Sequence, residues 1–374
     1  MMEWKKVKLG SLCDIFTGKK DVNQTIADGK YLFFSCAPKA FRSNDYIYDG
    51  KAIIVAGNGS FTGRVSFYNG KFDLYQRTYA CTPKNGDFNI EYVYWYMKHF
   101  FELVYSGGTR GSSIPYIVKG DLADFEIFLP PLEDQRRIAA ILSSLDAQIE
   151  NNNRINRNLE AQAQALFKSW FVDFEPWGGV MPEGWREGKL GDYCRCVLGG
   201  TPSRAKEEYW NGDVAWINSG EVNRFRITTP SEWITKLGVE KSATKLLPAK
   251  TTVLAITGAT LGQVSLLEID TCANQSVIGI LQNERVPYEF IYPLMNEKIK
   301  ELVLHQTGGA QQHINKDNVE SVAVYMPDDK IMSRYKEIVA PMYATIANKE
   351  FSNLRLASLR DTLLPKLMKG EIEV

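Results

Sequence analysis

The stretch Thr109-Arg110-Gly111-Ser112-Ser113 gathers a cation, three hydroxyls and glycine-bared backbone amides within five residues. Such a set suits anionic oxygens, since Arg brings a permanent charge and hydroxyls and amides bring neutral donors. A second polar loop, GNGSFTGR, offers Asn58, Ser60 and Arg64, and Gln76-Arg77 follows it. Arg, Asn and Gln present planar, paired hydrogen-bonding groups, which is what reading the edge of a nucleic-acid base requires. Further along, Thr201, Ser203, Arg204 and Lys206 cluster in GGTPSRAKEEYW, with Asn218, Arg224, Gln275 and the pair Gln311-Gln312 beyond. Plainer readings compete with each: a surface loop for 109–113, a structural turn for the glycines of 57–64, fold maintenance for Gln76 and Gln275, and a solvated charged face for Arg204, Lys206 and Arg224.

Patterns for bond-making chemistry do not emerge. Three histidines leave little room for general-base catalysis. The loop GNGSFTG lacks the strand-to-helix context and downstream acid of a dinucleotide site, and neither a GxxxxGK[ST] phosphate loop nor a nucleophile elbow occurs. Cys194 and Cys196 with His305 and His313 have poor metal spacing, so no metal site is expected. The expectation is a non-catalytic chain.

The elements that must position these polar loops are dominated by 132–171, LEDQRRIAAILSSLDAQIENNNRINRNLEAQAQALFKSWF. Apolar residues step by fours and threes through Ile138, Leu142, Leu145, Ile149, Leu159, Ala163, Leu166 and Trp170, the seam of a coiled-coil helix. Asn152 and Asn156 complete the rhythm. At 1.5 Å per residue this rod is roughly 60 Å long. Its mate follows the same spacing through Tyr335, Val339, Met342, Ile346, Lys349, Asn353, Leu356, Arg360, Leu363 and Leu367. Both helices turn polar at mid-seam, a device that specifies register, so Asn152 and Asn156 are expected opposite Lys349 and Asn353. The end of the first rod, with Phe167, Trp170, Phe171, Phe174 and Trp177, is more aromatic than one seam can bury, and a subunit-docking surface is expected there, with packing onto the chain's own domains as the competing reading.

Length and composition bound the rest. A chain of 374 residues, 44% hydrophobic, holds two or three domains with real cores. There is no run of eighteen apolar residues and no apolar signal core in MMEWKKVKLG, so the expectation is a cytoplasmic protein without membrane contact. Six cysteines in such a chain give no disulfide framework. Charge balances at 44 basic against 44 acidic residues; residues 1–130 carry 16 against 13, and 183–327 carry 15 against 17. A polyanion would have to be gripped by local placement, or with help from another subunit.

The chain repeats itself. WKKVKLGSLCDIFTG (4–18) returns as WREGKLGDYCRCVLG (185–199), and EYVYWYM (91–97) as EFIYPLM (289–295). The long-helix positions recur 197 residues apart. That period is too long for a solenoid and gives domain, rod, domain, rod: 1–130, 131–177 with its connector, 178–327 and 328–374. In 1–130 the runs KAIIVAG and GRVSFYNGKFDLY read as strands, with Asn69-Gly70 as a hairpin turn, before a helical stretch NIEYVYWYMKHFFELV (89–104). The copies agree in framework and differ in loops: GNGSFTGRVS faces TGATLGQVS, and GGTRGSSIPYI faces GGAQQHI. The fold class is therefore α+β, two similar mixed α/β domains separated by two long helices that pair as an antiparallel coiled coil.

In FLPPLEDQRRIAAILSSLDAQIE (128–150), LEAQAQALFKSWFVDFEP (159–176), the KLG segment at each domain start and the terminal DTLLPKLMKGEIEV, the chain resembles the specificity subunits of type I restriction-modification enzymes. The resemblance covers essentially the whole chain. It implies two target-recognition domains spaced by the coiled coil, no catalysis in this chain, and a double-stranded, bipartite DNA target. It also implies two methyltransferase subunits as partners, restriction subunits where cleavage accompanies modification, and S-adenosylmethionine held by the methyltransferase subunits, with no cofactor here. The competing reading from another class is a scaffold that gathers proteins on a duplicated binding domain; loss of adenine methylation on deletion separates the two.

Overall fold

The computed structural model describes residues 4–108, 110, 113–304 and 313–374. The chain divides into two compact units, 1–149 with 355–374 and 150–354, each built from one domain and a part of both long helices.

In the first unit the main sheet runs in the order β2-β7-β5-β6-β3-β4, from β2 (Cys13–Thr17), β3 (Tyr31–Phe34), β4 (Phe41–Ser43), β5 (Tyr48–Ala56), β6 (Val65–Leu74) and β7 (Thr78–Pro83). A two-stranded ladder joins β1 (Lys5–Lys8) to β8 (Glu126–Leu129). Side chains of β5 alternate as strand geometry demands: Ile53 and Val55 enter one core, Ala52 and Ile54 a second on the opposite face. The first core is closed by Tyr92, Val93, Trp95 and Tyr96 of the helical stretch at 90–105 and by Ile138 and Leu142 of the long helix.

Asn69-Gly70 is not a turn. Both residues lie within β6, with Gly50 opposite Gly70 and Lys51 opposite Asn69 in an unbroken ladder. Gly50 at φ 142° and Gly70 at φ 137° place two residues without side chains at one step. This directly opposed pair carries the ladder through backbone angles that other residues rarely adopt. A turn dipeptide names a backbone preference, and here cross-strand pairing uses it differently.

The second unit repeats the frame. β10 (Arg195–Leu198), β17 (Val277–Leu281), β14 (Thr252–Ala255) and β15 (Val264–Leu266) form a sheet in that order, matching β2-β7-β5-β6. β9 (Arg186–Lys189) pairs with β18 (Ala323–Met326) as β1 does with β8. The remaining strands, β11 (Trp210–Ile217), β12 (Glu232–Ile234), β13 (Leu246–Leu247) and β16 (Thr271–Ala273), make a separate sheet, β12-β11-β16-β13, where the first unit extended its main sheet.

The long helices span Leu132–Phe171 and Asp329–Met368, forty residues each and 197 apart. Glu133, Asp134 and Asp329 occupy first turns and Lys168 and Lys366 last turns, each favoured by the helix dipole. Within each unit the helices run antiparallel. In the first, Arg360 bonds Asp146 at 2.5 Å and Arg137 bonds the Val374 carbonyl at 2.9 Å. In the second, Asn152 donates to Asn353 at 2.9 Å and accepts from Lys349 at 3.0 Å, while Asn353 donates to Asn153 at 2.8 Å. The polar layer expected around Asn152 is thus present. Asn156 departs from it, donating to Glu350 at 2.7 Å. One turn onward in one helix is one turn back in its antiparallel mate, where Lys349 is already engaged and the neighbouring carboxylate accepts.

Candidate nucleic-acid interface

The polar loops of the first unit converge on an open cleft of about 300 Å³ lined by Gly57, Asn58, Gln76, Arg77, Tyr79, Tyr116 and Ile117. Gln76 and Arg77 are the two central residues of a turn closed by Thr78 N donating to Tyr75 O at 3.0 Å, and both side chains are exposed. Beneath this turn Gly18 packs so closely that a Cβ would lie 1.7 Å from Leu74 O, which explains the glycine ending the first repeat motif. Asn58 is half-buried, bridged through its backbone to Tyr116, and its Oδ1 accepts from the Cys36 thiol at 3.1 Å. Ser60 and Phe61 form the exposed tip of the loop. Tyr79 lines the cleft, and burial raises its phenol above the ordinary value.

Two other candidates are committed internally. Arg64 is half-buried, donates to Ala37 O and lies 5.6 Å from the Phe61 ring centre, and burial lowers its pKa. It braces the loop from within. Arg110 is exposed and pairs with Asp121 at 2.5 Å. Burial pulls the Asp121 carboxyl upward, but the Arg110 hydrogen bond and Val118 N–H outweigh it and hold the group below its ordinary value. Ser113 is exposed; Thr109, Ser112, Gln311 and Gln312 lie outside the described residues. Arg77 differs from both arginines: its carbonyl accepts from Gly57 N, but its guanidinium makes no hydrogen bond or ion pair with the described residues.

The second unit builds the same frame with other side chains. Gly57 N to Arg77 O, 3.0 Å, has its counterpart in Ile256 N to Ser276 O, 3.0 Å; Ala56 N to Arg64 O, 3.0 Å, in Ala255 N to Gln263 O, 2.9 Å. Ile117 N to Gly57 O is matched by Ile314 N to Ile256 O, both 3.0 Å. Gly199 repeats the close approach of Gly18, its Cβ position 2.1 Å from Asn274 O. The positions equivalent to Asn58, Ser60, Phe61, Arg64 and Arg77 are therefore Thr257, Ala259, Thr260, Gln263 and Ser276, and Gln275 repeats Gln76. Sequence reasoning singled out Gln275 but passed over Thr257, Thr260 and Gln263, although setting GNGSFTGRVS against TGATLGQVS already aligned them. Tyr79, Tyr116 and Cys36 carried no signal of their own.

The cationic cluster chosen from sequence in this unit is largely occupied. Arg204 pairs with both Glu232 oxygens, at 2.5 and 2.7 Å, and stacks 3.5 Å from the Trp210 ring centre. Lys206 donates to the Tyr209 hydroxyl at 3.0 Å, Arg224 to Thr229, and Asn218 caps the short helix 219–223 through Gly220 N. Ser203 is exposed and accepts the Trp210 indole N–H through its carbonyl. Of these residues Thr201 alone joins the frame shared by the two units, its hydroxyl donating to Gln275 Oε1 at 2.5 Å.

The aromatic end of the first rod is corrected more sharply. Phe167 and Phe171, 1% and 5% exposed, belong to the second unit's core, and Trp170, Phe174 and Trp177 pack partly buried against it. Trp177, Phe174 and Phe171 all meet Trp185, with ring centres 5.3, 5.7 and 5.7 Å away. The excess over one seam is absorbed by the domain itself, leaving Phe167 and Phe171 no surface for a partner. Burial likewise pushes the Cys194 and Cys196 thiols up to about 12, so both stay protonated as packed core groups.

Residues 1–161 and 182–356 match the profile of a family described as "Type I restriction modification DNA specificity domain". The HindI specificity subunit of Haemophilus influenzae is 24% identical over 471 positions spanning 100% of both chains. The MjaIX specificity subunit of Methanocaldococcus jannaschii is 28% identical over 309, covering 78% of this chain and 71% of its own. A crystal structure of a type I restriction-modification S subunit from M. genitalium shares the fold, with a TM-score of 0.67 at 20% identity over 97% of this chain and 96% of that one.

Proposed function

The chain belongs to the type I restriction modification DNA specificity family, which makes target recognition in a type I system its function, and from that premise we propose how the recognition is divided. Each unit reads one half of a bipartite double-stranded target, and the long helices set the gap between the halves. In the first unit Asn58, Gln76 and Arg77 face DNA, with Ser60, Arg110 and Ser113 on the rim. In the second, Thr201 and Gln275 hold the equivalent place, with Thr257, Thr260 and Gln263 alongside. The chain carries out no chemistry itself. It directs two methyltransferase subunits, which bring S-adenosylmethionine, and restriction subunits where the complex cleaves.

The observation that carries this reading is the repeated backbone frame with different side chains at its rim, Arg77 answered by Ser276 and Asn58 by Thr257. An identical frame fixes where DNA can approach, and unlike rims read unlike sequences. Overall neutrality adds that affinity comes from the assembled complex, since phosphate neutralisation supplies most of a DNA-binding protein's grip. Mapping methylated adenines genome-wide, with and without the gene, tests the proposal. Methylation at a two-part motif that vanishes on deletion is expected; an unchanged methylation pattern, or tight sequence-specific binding by the isolated chain, would count against it.

A further inference from the structure

Within the second unit Arg226 is a charged side chain with 0% exposure. Its guanidinium donates to Glu160 of the first long helix at 2.6 Å, to the Tyr292 hydroxyl at 3.1 Å and to the Phe225 carbonyl at 2.8 Å. It lies 4.7 Å from the Tyr292 ring centre and 5.7 Å from that of Tyr343 on the second long helix. Glu268, itself paired with Lys250, stands 3.7 Å away. One charge therefore touches the domain's helix, its sheet region and both long helices. A guanidinium suits this because its donors form a fixed fork, so partners are held in direction as well as distance.

Among the described residues the first unit has nothing comparable at this junction. The position matching Glu160 in the second long helix, 197 residues on, is Ala357. In the first unit the domain meets the first long helix through neutral bonds, Trp95 to Ser143 at 3.0 Å and Asn89 N to Gln135 at 2.9 Å, and among the described residues no ion pair links the domain to either long helix. Buried ion pairs contribute little to net stability compared with apolar replacements, yet they penalise any arrangement that separates them. The pair is thus poorly explained as reinforcement and well explained as a constraint on orientation.

Resting on the division of recognition proposed above, we infer that Arg226 is a positioning residue: through Glu160 it holds the second recognition domain in one orientation on the long helices and so sets the gap at which the second half-site is accepted. The test uses the complete methyltransferase complex acting on a plasmid library with every gap length between the two half-sites. Arg226→Met alone strands Glu160 and can fail to fold, so the informative variant is Arg226→Met with Glu160→Met, which removes one charge of each sign and leaves Lys250 with Glu268. That double variant is expected to keep the parental Tm and both half-site sequences, while its preference for the native gap over gaps one base pair longer or shorter falls about tenfold, the scale of one charged hydrogen bond. Arg226→Lys, which keeps the charge, restores part of the preference. An unchanged gap preference in the folded double variant overturns the inference, as does a changed half-site sequence. If the parental complex itself shows no two-part motif, the reading of the two units falls first, and this inference with it.

Discussion

Arg77 and Ser276 occupy the same turn in two copies of one frame, and the backbone bond from each to the facing strand is 3.0 Å in both. Around these turns the units diverge. Among the described residues the first leaves the Arg77 guanidinium without a hydrogen-bond or ion-pair partner, while the second ties Arg204, Lys206 and Arg224 to Glu232, Tyr209 and Thr229 of the same unit. The backbone ladder depends on amides and carbonyls that every residue supplies, so the frame survives duplication while its rim drifts.

Breaking the link between the units should have the largest effect. Four residues added to each long helix, after Ile149 and after Leu354, lengthen both helices by about 6 Å. Methylation mapping should show a new preferred gap with both half-sites intact; altered half-sites would mean the helices are not a spacer. Next in size, Arg77→Ala should lower methylation at the native target about 10- to 100-fold, the worth of one bidentate base contact, and relax a base in one half-site only. Ser276→Arg, by contrast, should alter the other half-site. If both changes affect the same half, the units do not read separately.

A smaller effect is expected at the polar layer. Asn152→Leu with Asn353→Leu should raise Tm, because a buried polar pair costs a coiled coil stability, while broadening the gap preference as register loosens. A fall in Tm would show that the layer stabilises the helices instead. Smallest is Arg204→Ala. Its loss removes a cation–π contact worth about 1 kcal/mol, which amounts to about 2–4 °C in a unit of this size, and no change in the DNA sequence read. A changed half-site would return Arg204 to the interface.

The candidate site was half legible. Asn58, Gln76 and Arg77 stand out in sequence because polar planar side chains beside glycines in a repeated frame are visible in one dimension, and the structure brings all three to one cleft. Arg64 and Arg204 look alike in sequence, but their partners, Ala37 and Glu232, are 27 and 28 residues away. No local pattern encodes such a distance. The aromatic end of the first helix misled for the same reason: Trp185 and Phe290, which cover it, belong to other elements.

Sequence by itself determined the two long helices, the polar layer at Asn152 through which they pair, and the duplication, because periodic burial and repeated spacing are properties of order along a chain. Tertiary structure alone decided that Asn69-Gly70 runs straight through a strand, that Phe167 and Phe171 are core, and that Arg77 faces outward while Arg226 is sealed within. Each depends on which groups from distant segments reach one another first, and a charge is free for a ligand only where the fold has left it no partner of its own.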